Sequence, residues 1–313
     1  MKKKPEIIID TDAGADDLLA ITLLFSANSY LIKKIITSYG SFSLKESTSR
    51  INKLLSLIGA EDIAVIETGA QKPLKRSFEP YHLIHGDLWI SEEQKHTKLN
   101  IKKLVDNLLP KTDYFCLGPL TNLSKLLDEK DFLKKINNIY IMGGAISYPG
   151  NATPLAEANF FWDPDAVEKV FKLASEKIRL IPLNITEQIQ LNNKDIKFFK
   201  EQKIISGFFK PYLHYYLKIK KWFLDPKDYL QKKYSGASIH DVVAVISLFD
   251  NRIINFKPIL LATDLIKKEP GFIYPILRQE QQSNKKNSYK IMTAVNINQK
   301  EFWETFNKVL VSR

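Results

Sequence analysis

The run Ile7-Ile8-Ile9-Asp10-Thr11-Asp12-Ala13-Gly14-Ala15-Asp16-Asp17 decides how this chain is read. Three β-branched apolar residues predict a buried strand, Gly14 a tight turn, and the last two acids a helix start favoured by the helix dipole. The same alternation continues outward. Strands are predicted over 6–9, 31–38, 63–67, 114–117, 138–142, 178–183, 258–262 and 290–296. Helices are predicted over 17–26, 44–58, 101–109, 120–127, 165–173 and 299–311, with one more after His240-Asp241. Short β-rich runs between longer helical patterns are the signature of an α/β fold, a parallel sheet covered by helices.

With 313 residues, 44% of them hydrophobic and 11% aromatic, the chain can bury a large core and is not disordered. No linker divides it, so residues 1–313 are expected to form a single domain. An aromatic, Lys-studded stretch from Asp195 to Phe223 reads as a helical cap or insertion, roughly 190–235, and residues 267–288 read as polar and loop-rich. Met-Lys-Lys-Lys-Pro followed by three apolar residues is too short for a signal-peptide core, and no apolar run is long enough to span a membrane. A cytoplasmic protein is expected. The single cysteine, Cys116, excludes an intramolecular disulfide and any multi-cysteine zinc site. Lys and Arg number 46 against 35 acids, a net charge of +11 that invites a nucleic-acid reading. The lysines are scattered and not interleaved with aromatics in a recognisable module, so no nucleic-acid partner is expected.

Against that basic background, four aspartates fall between Asp10 and Asp17. Helix-start chemistry accounts for Asp16 and Asp17. It does not account for Asp10 and Asp12, whose like charges repel unless protonated or neutralised by a cation. Carboxylates with no neighbouring His or Cys suit a hard cation, Ca²⁺ or Mg²⁺, better than zinc. In open α/β sheets, ligands bind beyond the carboxyl ends of the strands, where this cluster lies. The cluster alone names no reaction. Asp-x-Asp after a first strand also begins Mg²⁺-dependent aspartyl-phosphate phosphatases.

Further segments discriminate. Leu117-Gly118-Pro119-Leu120-Thr121-Asn122 and Met142-Gly143-Gly144-Ala145 follow predicted strands. Gly150-Asn151-Ala152-Thr153-Pro154-Leu155-Ala156-Glu157-Ala158-Asn159-Phe160 leads to Asp163-Pro164-Asp165-Ala166, which opens a helix, and Ile239-His240-Asp241 comes late. Taken together, and across essentially the whole chain, these resemble the nucleoside hydrolase family of the inosine-uridine preferring type. The resemblance implies an open, mostly parallel sheet with a Ca²⁺ ion at the strand ends, a Rossmann-like fold, and a homo-oligomer, dimer or tetramer. Carried over residue by residue, it implies Asp12, Asp17 and Asp241 as side-chain metal ligands, with the Thr121 backbone carbonyl. Asp12 would also be the base that takes a proton from a Ca²⁺-bound water, with Asp10 supporting from behind. Asp16 and Asn159 would hold the ribose 2′-hydroxyl, Asp241 the 3′-hydroxyl, and Asn151 and Glu157 the 5′-hydroxyl, with Met142 nearby. His240 would sit on the base side, as leaving-group acid or base contact, and His85 matches the family's mobile-loop histidine.

The residue types fit that chemistry in their own right. Breaking an N-glycosidic bond builds positive charge on the ribose, which carboxylates and amide oxygens stabilise. A metal ion acidifies a bound water, a carboxylate takes its proton, and a histidine titrating near neutrality can protonate the base. His82, His96 and His214 are read as non-catalytic and Cys116 as a buried apolar residue.

The chain also departs from the family. Ser41 stands where the family has Asn, which opens the alternative of a catalytically weakened paralogue that binds nucleosides or ribosides. Ala13 replaces a Pro, a mild change. Asp87-Leu88-Trp89 follows His85-Gly86 in place of Asp-Gly-Leu, Ala158 stands where an aromatic is common, and Val242 follows Asp241 in place of Pro.

Overall fold

The computed structural model describes residues 4–77, 95–191, 237–263, 269–276 and 287–311. Ten strands form one sheet: β1 (Glu6–Thr11), β2 (Leu31–Thr37), β3 (Val65–Thr68), β4 (Thr97–Lys98), β5 (Thr112–Cys116), β6 (Ile136–Met142), β7 (Ile178–Ile181), β10 (Ile254–Thr263), β11 (Ile273–Pro275) and β12 (Ser288–Ile297). Their order is β11-β10-β12-β7-β6-β5-β1-β2-β3-β4. The pairs from β12 to β4 are parallel, and only β10 runs against its neighbours. A separate two-stranded ribbon pairs β8 (Gln190–Leu191) with β9 (Ala237–Ser238). The open, mostly parallel sheet expected from the sequence is therefore present. The stretch expected to be loop-rich contributes the three-residue edge strand β11, too short for its pattern to stand out.

Ten helices flank the sheet: α1 (Ala15–Ala27), α2 (Leu44–Ile58), α3 (Ile101–Asp106), α4 (Thr121–Leu126), α5 (Phe132–Lys135), α6 (Ala158–Trp162), α7 (Pro164–Ala174), α8 (Leu183–Thr186), α9 (His240–Ile246) and α10 (Gln299–Val311), counted among the described residues. Local chemistry sets the ends of α2 where the sequence placed them. Ser43 and Glu46 form a reciprocal capping box, and Gly59 closes the helix in the left-handed conformation at φ 64°. The predicted strand at 178–183 ends early, because Leu183 already starts α8.

Two cores result, one on each face. Under α1, α2, α9 and α10 lie Ile7, Ile9, Leu19, Leu54, Val243 and Phe302; under α3, α4 and α7 lie Ile8, Tyr114, Leu123 and Phe171. β1 thus alternates between them, as the two-residue period of a strand requires. No helix among the described residues is long and apolar enough to cross a membrane. The cap expected over 190–235 lies almost wholly outside the described residues.

The chain runs from β1 outward through β2 and β3, then crosses back to place β5 on the other side of β1. This reversal opens a crevice at the carboxyl ends of β1 and β5. Asn122 bridges that crevice. Its amide nitrogen donates to Asp10 Oδ1 at 2.8 Å and its oxygen accepts from the Ala70 amide at 2.7 Å, joining β1 to the loop after β3. Asn122→Ala leaves two buried groups unpaired, and urea denaturation is expected to show a loss of about 3 kcal/mol. A loss under about 0.5 kcal/mol, the scale of an ordinary surface substitution, would show that the bridge does not organise the crevice.

Candidate active site

The parity of β1 divides its acids. Asp10 turns to the same side as Ile8, where Tyr114 Oη donates to its Oδ2 at 2.7 Å. Burial pushes the Asp10 carboxyl up to about 7, against the pull of Asn122 and Tyr114. Thr11 turns to the other side, and its hydroxyl donates to Asp17 at the start of α1.

The turn that follows is held from outside the site. Ala13 sits at φ 58°, in the left-handed region, with its amide donating to Thr11 Oγ1 at 3.0 Å. From α2, Ser47 Oγ donates to the Asp12 carbonyl at 2.7 Å and Arg50 Nε to the Ala13 carbonyl at 2.8 Å. The proline for which Ala13 stands cannot adopt this φ and has no N–H to give. The departure that looked mild in the sequence goes with a distinct turn. Asp12 Oδ2 accepts from the Ser41 amide at 2.6 Å and Oδ1 from the Gly14 amide at 3.3 Å. The Ser41 hydroxyl bonds the same carboxylate. Burial raises the Asp12 carboxyl to about 6, and these donors oppose the rise. A Cβ on Gly40 would fall 2.1 Å from Asp12 Oδ2, so this close approach requires glycine.

Asp16, Asp17 and Asp241 come together from opposite ends of the chain. One carboxylate oxygen of each lies within 4.8 Å of the others, and all three residues are buried. Burial, then the charge of Asp12, drives Asp17 well above the usual carboxylate range; burial, then Asp17 and Asp16, does the same to Asp241. Asp241 shares a hydrogen bond with Asp17, yet its Oδ1 is buried with no hydrogen-bond partner among the described residues. Clustered carboxylates with an orphaned acceptor are the donor set of a hard cation, so the residues fit a divalent oxygen-loving ion. The trio includes Asp16, expected on the ribose, and does not include Asp12, expected on the metal. Thr121 is fixed by its side chain. Its hydroxyl donates to Asp163 at 2.6 Å and pairs with Tyr39 Oη at 2.8 Å, while its carbonyl accepts from Ser124 Oγ at 2.8 Å.

Around this centre stand most of the residues expected on the sugar. Asn159 donates through Nδ2 to the carbonyls of Leu117 and Met142, at 2.8 and 3.1 Å, so Met142 and Asn159 are adjacent. Glu157 is buried. Its carboxylate caps α6 and accepts from the Gly144 amide at 2.8 Å, and burial raises it to about 7. Asn151 lies at the solvent edge, its Oδ1 accepting from the Ala158 amide. His240 opens α9, half-buried, with Nδ1 2.8 Å from the hydroxyl of Thr186. His85 lies outside the described residues. Sequence reasoning missed Ser47, Arg50 and Thr186 altogether, and quoted Thr11, Asn122 and Asp163 within motifs without giving them a role. Their parts depend on contacts that the fold makes, and spacing carries no signal for those.

A parallel-sheet enzyme with buried carboxylates at its switch point is the class that this geometry defines. Residues 7–304 match the profile of the family described as inosine-uridine preferring nucleoside hydrolase, and the chain belongs to that family. It is 30% identical over 233 residues to uridine nucleosidase 1 of Arabidopsis thaliana, covering 69% of each chain. It is 33% identical over 202 residues to the pyrimidine-specific ribonucleoside hydrolase RihA of Shewanella woodyi, covering 61% of this chain and 64% of that one. The purine-preferring ribonucleoside hydrolase of Gardnerella vaginalis superposes with a TM-score of 0.84 at 21% identity, over 97% of this chain and 98% of that structure, which shows the shared fold.

Asp10, Asp12, Asp17, Glu157 and Asp241 all hold protons more tightly folded than unfolded. The unfolded chain releases these protons near about pH 4, so their contribution to stability is full below that and lost as pH rises through the folded values, about 6 to 7 where values are given. The melting temperature of chelator-treated protein is therefore expected to fall between pH 5 and pH 8. A divalent cation that binds the cluster, tried as Ca²⁺ and as Mg²⁺, should raise it more at pH 8 than at pH 5, since protons compete for the carboxylates. A melting temperature that rises over this range without metal would contradict the picture. At the turn, Ala13→Gly is expected to stabilise by about 1 kcal/mol through relief of the left-handed Cβ contact. Ala13→Pro is expected to lower the melting temperature, and the same scan reads both.

Proposed function

We propose that this protein hydrolyses the N-glycosidic bond of ribonucleosides to free base and ribose, with Ca²⁺ held among its strand-end aspartates. The observation that carries the reading is the buried trio of Asp16, Asp17 and Asp241 with its orphaned Asp241 oxygen. Asp17 and Asp241 would hold the ion, with Asp12 and the Thr121 carbonyl completing the protein's share. When bound, the ion would acidify the attacking water and orient the ribose diol.

The chain's own groups do the rest. Asp12, fixed by the Ser41 and Gly14 amides, takes the proton from the attacking water. Because Asn159 spends its N–H groups on Leu117 and Met142, it offers the ribose 2′-hydroxyl an acceptor oxygen, beside Asp16. Asp241 would meet the 3′-hydroxyl and Glu157 and Asn151 the 5′-hydroxyl, and His85 is read as a further substrate contact. The ring of carboxylates stabilises the cationic ribose as the bond breaks with its electron pair on the base nitrogen. His240 supplies a proton to that base. Uridine is the first substrate to try, because the two relatives described above carry uridine and pyrimidine names.

The test is ribose release from uridine, inosine, cytidine and adenosine, with and without EDTA. Release from at least one nucleoside, abolished by EDTA and restored by Ca²⁺, is expected. Asp12→Ala should lower kcat by at least about 10³-fold while the protein still folds, because both activation of the water and its placement are lost. An Asp12→Ala rate within tenfold of the parent would refute the base assignment. A second reading, a weakened paralogue, is favoured by the Ser41 hydroxyl, which is committed to Asp12 and shorter than the family's amide. No ribose from any nucleoside at high enzyme concentration, with activity gained by Ser41→Asn, would establish that reading instead.

A further inference from the structure

Thr186 is buried at the end of α8, a short turn that begins two residues after β7. That turn is anchored to the loop beyond β6. The Leu183 amide donates to the Gly144 carbonyl at 2.8 Å, the Ile146 amide to Asn184 Oδ1 at 3.3 Å, and Tyr148 Oη to Glu187 at 2.8 Å. The Thr186 hydroxyl therefore projects from a braced element. It meets His240 Nδ1 at 2.8 Å and the Leu183 carbonyl at 3.3 Å.

A threonine hydroxyl has one proton to donate and lone pairs to accept. The Leu183 carbonyl can only accept. Both contacts are satisfied together in one way: Nδ1–H donates to Thr186 Oγ1, which donates to the Leu183 carbonyl. We propose that Thr186 is a positioning residue that holds His240 as the Nδ1–H tautomer, with Nε2 turned to the nucleobase. This rests on the reading of His240 as leaving-group acid. In that step Nε2–H passes its proton to a ring heteroatom of the departing base, while the glycosidic electron pair moves to the base nitrogen. The neutral imidazole left behind is already the Nδ1–H tautomer. The chain from His240 through Thr186 to Leu183 is unchanged, so no hydrogen bond has to reorganise as the proton leaves.

Two measurements test the assignment. Long-range ¹H–¹⁵N spectra of the full chain, with the His240 signals assigned by their loss in His240→Ala, should show Nδ1–H in the parent and in Thr186→Ser. Thr186→Val should move toward Nε2–H. An Nε2–H parent, or a Thr186→Val tautomer identical to the parent, would overturn the proposal whether or not the protein turns over. In kinetics, Thr186→Val should lower kcat on uridine or inosine by about tenfold or more, with Thr186→Ser restoring most of it. The loss should be much smaller on p-nitrophenyl riboside, whose phenolate departs without protonation. Equal losses on both substrates would mark Thr186 as structural and refute the proposal. Should His240→Ala keep full activity on nucleosides while the tautomer result holds, the acid assignment fails and the positioning geometry stands.

Discussion

Like charge, buried, is the constraint on which this molecule is built. Asp10, Asp12, Asp16, Asp17 and Asp241 are all removed from water at one end of a parallel sheet. Isolated carboxylates so placed would shed their charge or unfold the protein. Here the cost is offset piecemeal. Asn122 and Tyr114 serve Asp10, backbone amides serve Asp12, and the Thr11 hydroxyl serves Asp17. Asp241 has one oxygen with no partner among the described residues. That imbalance suits a cation, and the surrounding order of strands, with its reversal between β1 and β5, opens the crevice in which the cluster lies.

Much of this was legible in the chain. The apolar triplet Ile7-Ile8-Ile9 reads as a strand because nothing else buries three β-branched residues in a row so readily, and the ends of α2 were plain because Ser43, Glu46 and Gly59 encode them chemically. The acids at 12, 16 and 17 were singled out by their density in a basic sequence, and His240-Asp241 by its company. What sequence could not supply was partnership. Asp16 joins Asp17 and Asp241 in one close group, although the family resemblance implied the ribose side. Ser41, expected on the substrate side in place of the family's Asn, faces Asp12 with both its amide and its hydroxyl. Such pairings depend on which loops the topology brings together, and a linear pattern does not contain them.

Departures from the family's pattern take on a different weight once placed. Ala13 sits in a conformation closed to proline, so the exchange alters the backbone of the turn that carries Asp12. Ser41 keeps its backbone donation to that same aspartate whatever its side chain. The hydroxyl adds a second donor to that carboxylate, so a change of side chain alters the surroundings of Asp12 while the backbone contact remains.

Helix α2 lies outside the pocket, yet Ser47 and Arg50 on its inner face grip the backbone of the Asp12–Ala13 turn. Drift along this helix is accordingly bounded unevenly. Its outer positions face away from that turn, while two of its inner ones hold the backbone of the proposed base without lying in the pocket. A variant library chosen by distance from the substrate would overlook them, and one chosen by hydrogen bonding to the catalytic backbone would rank them first.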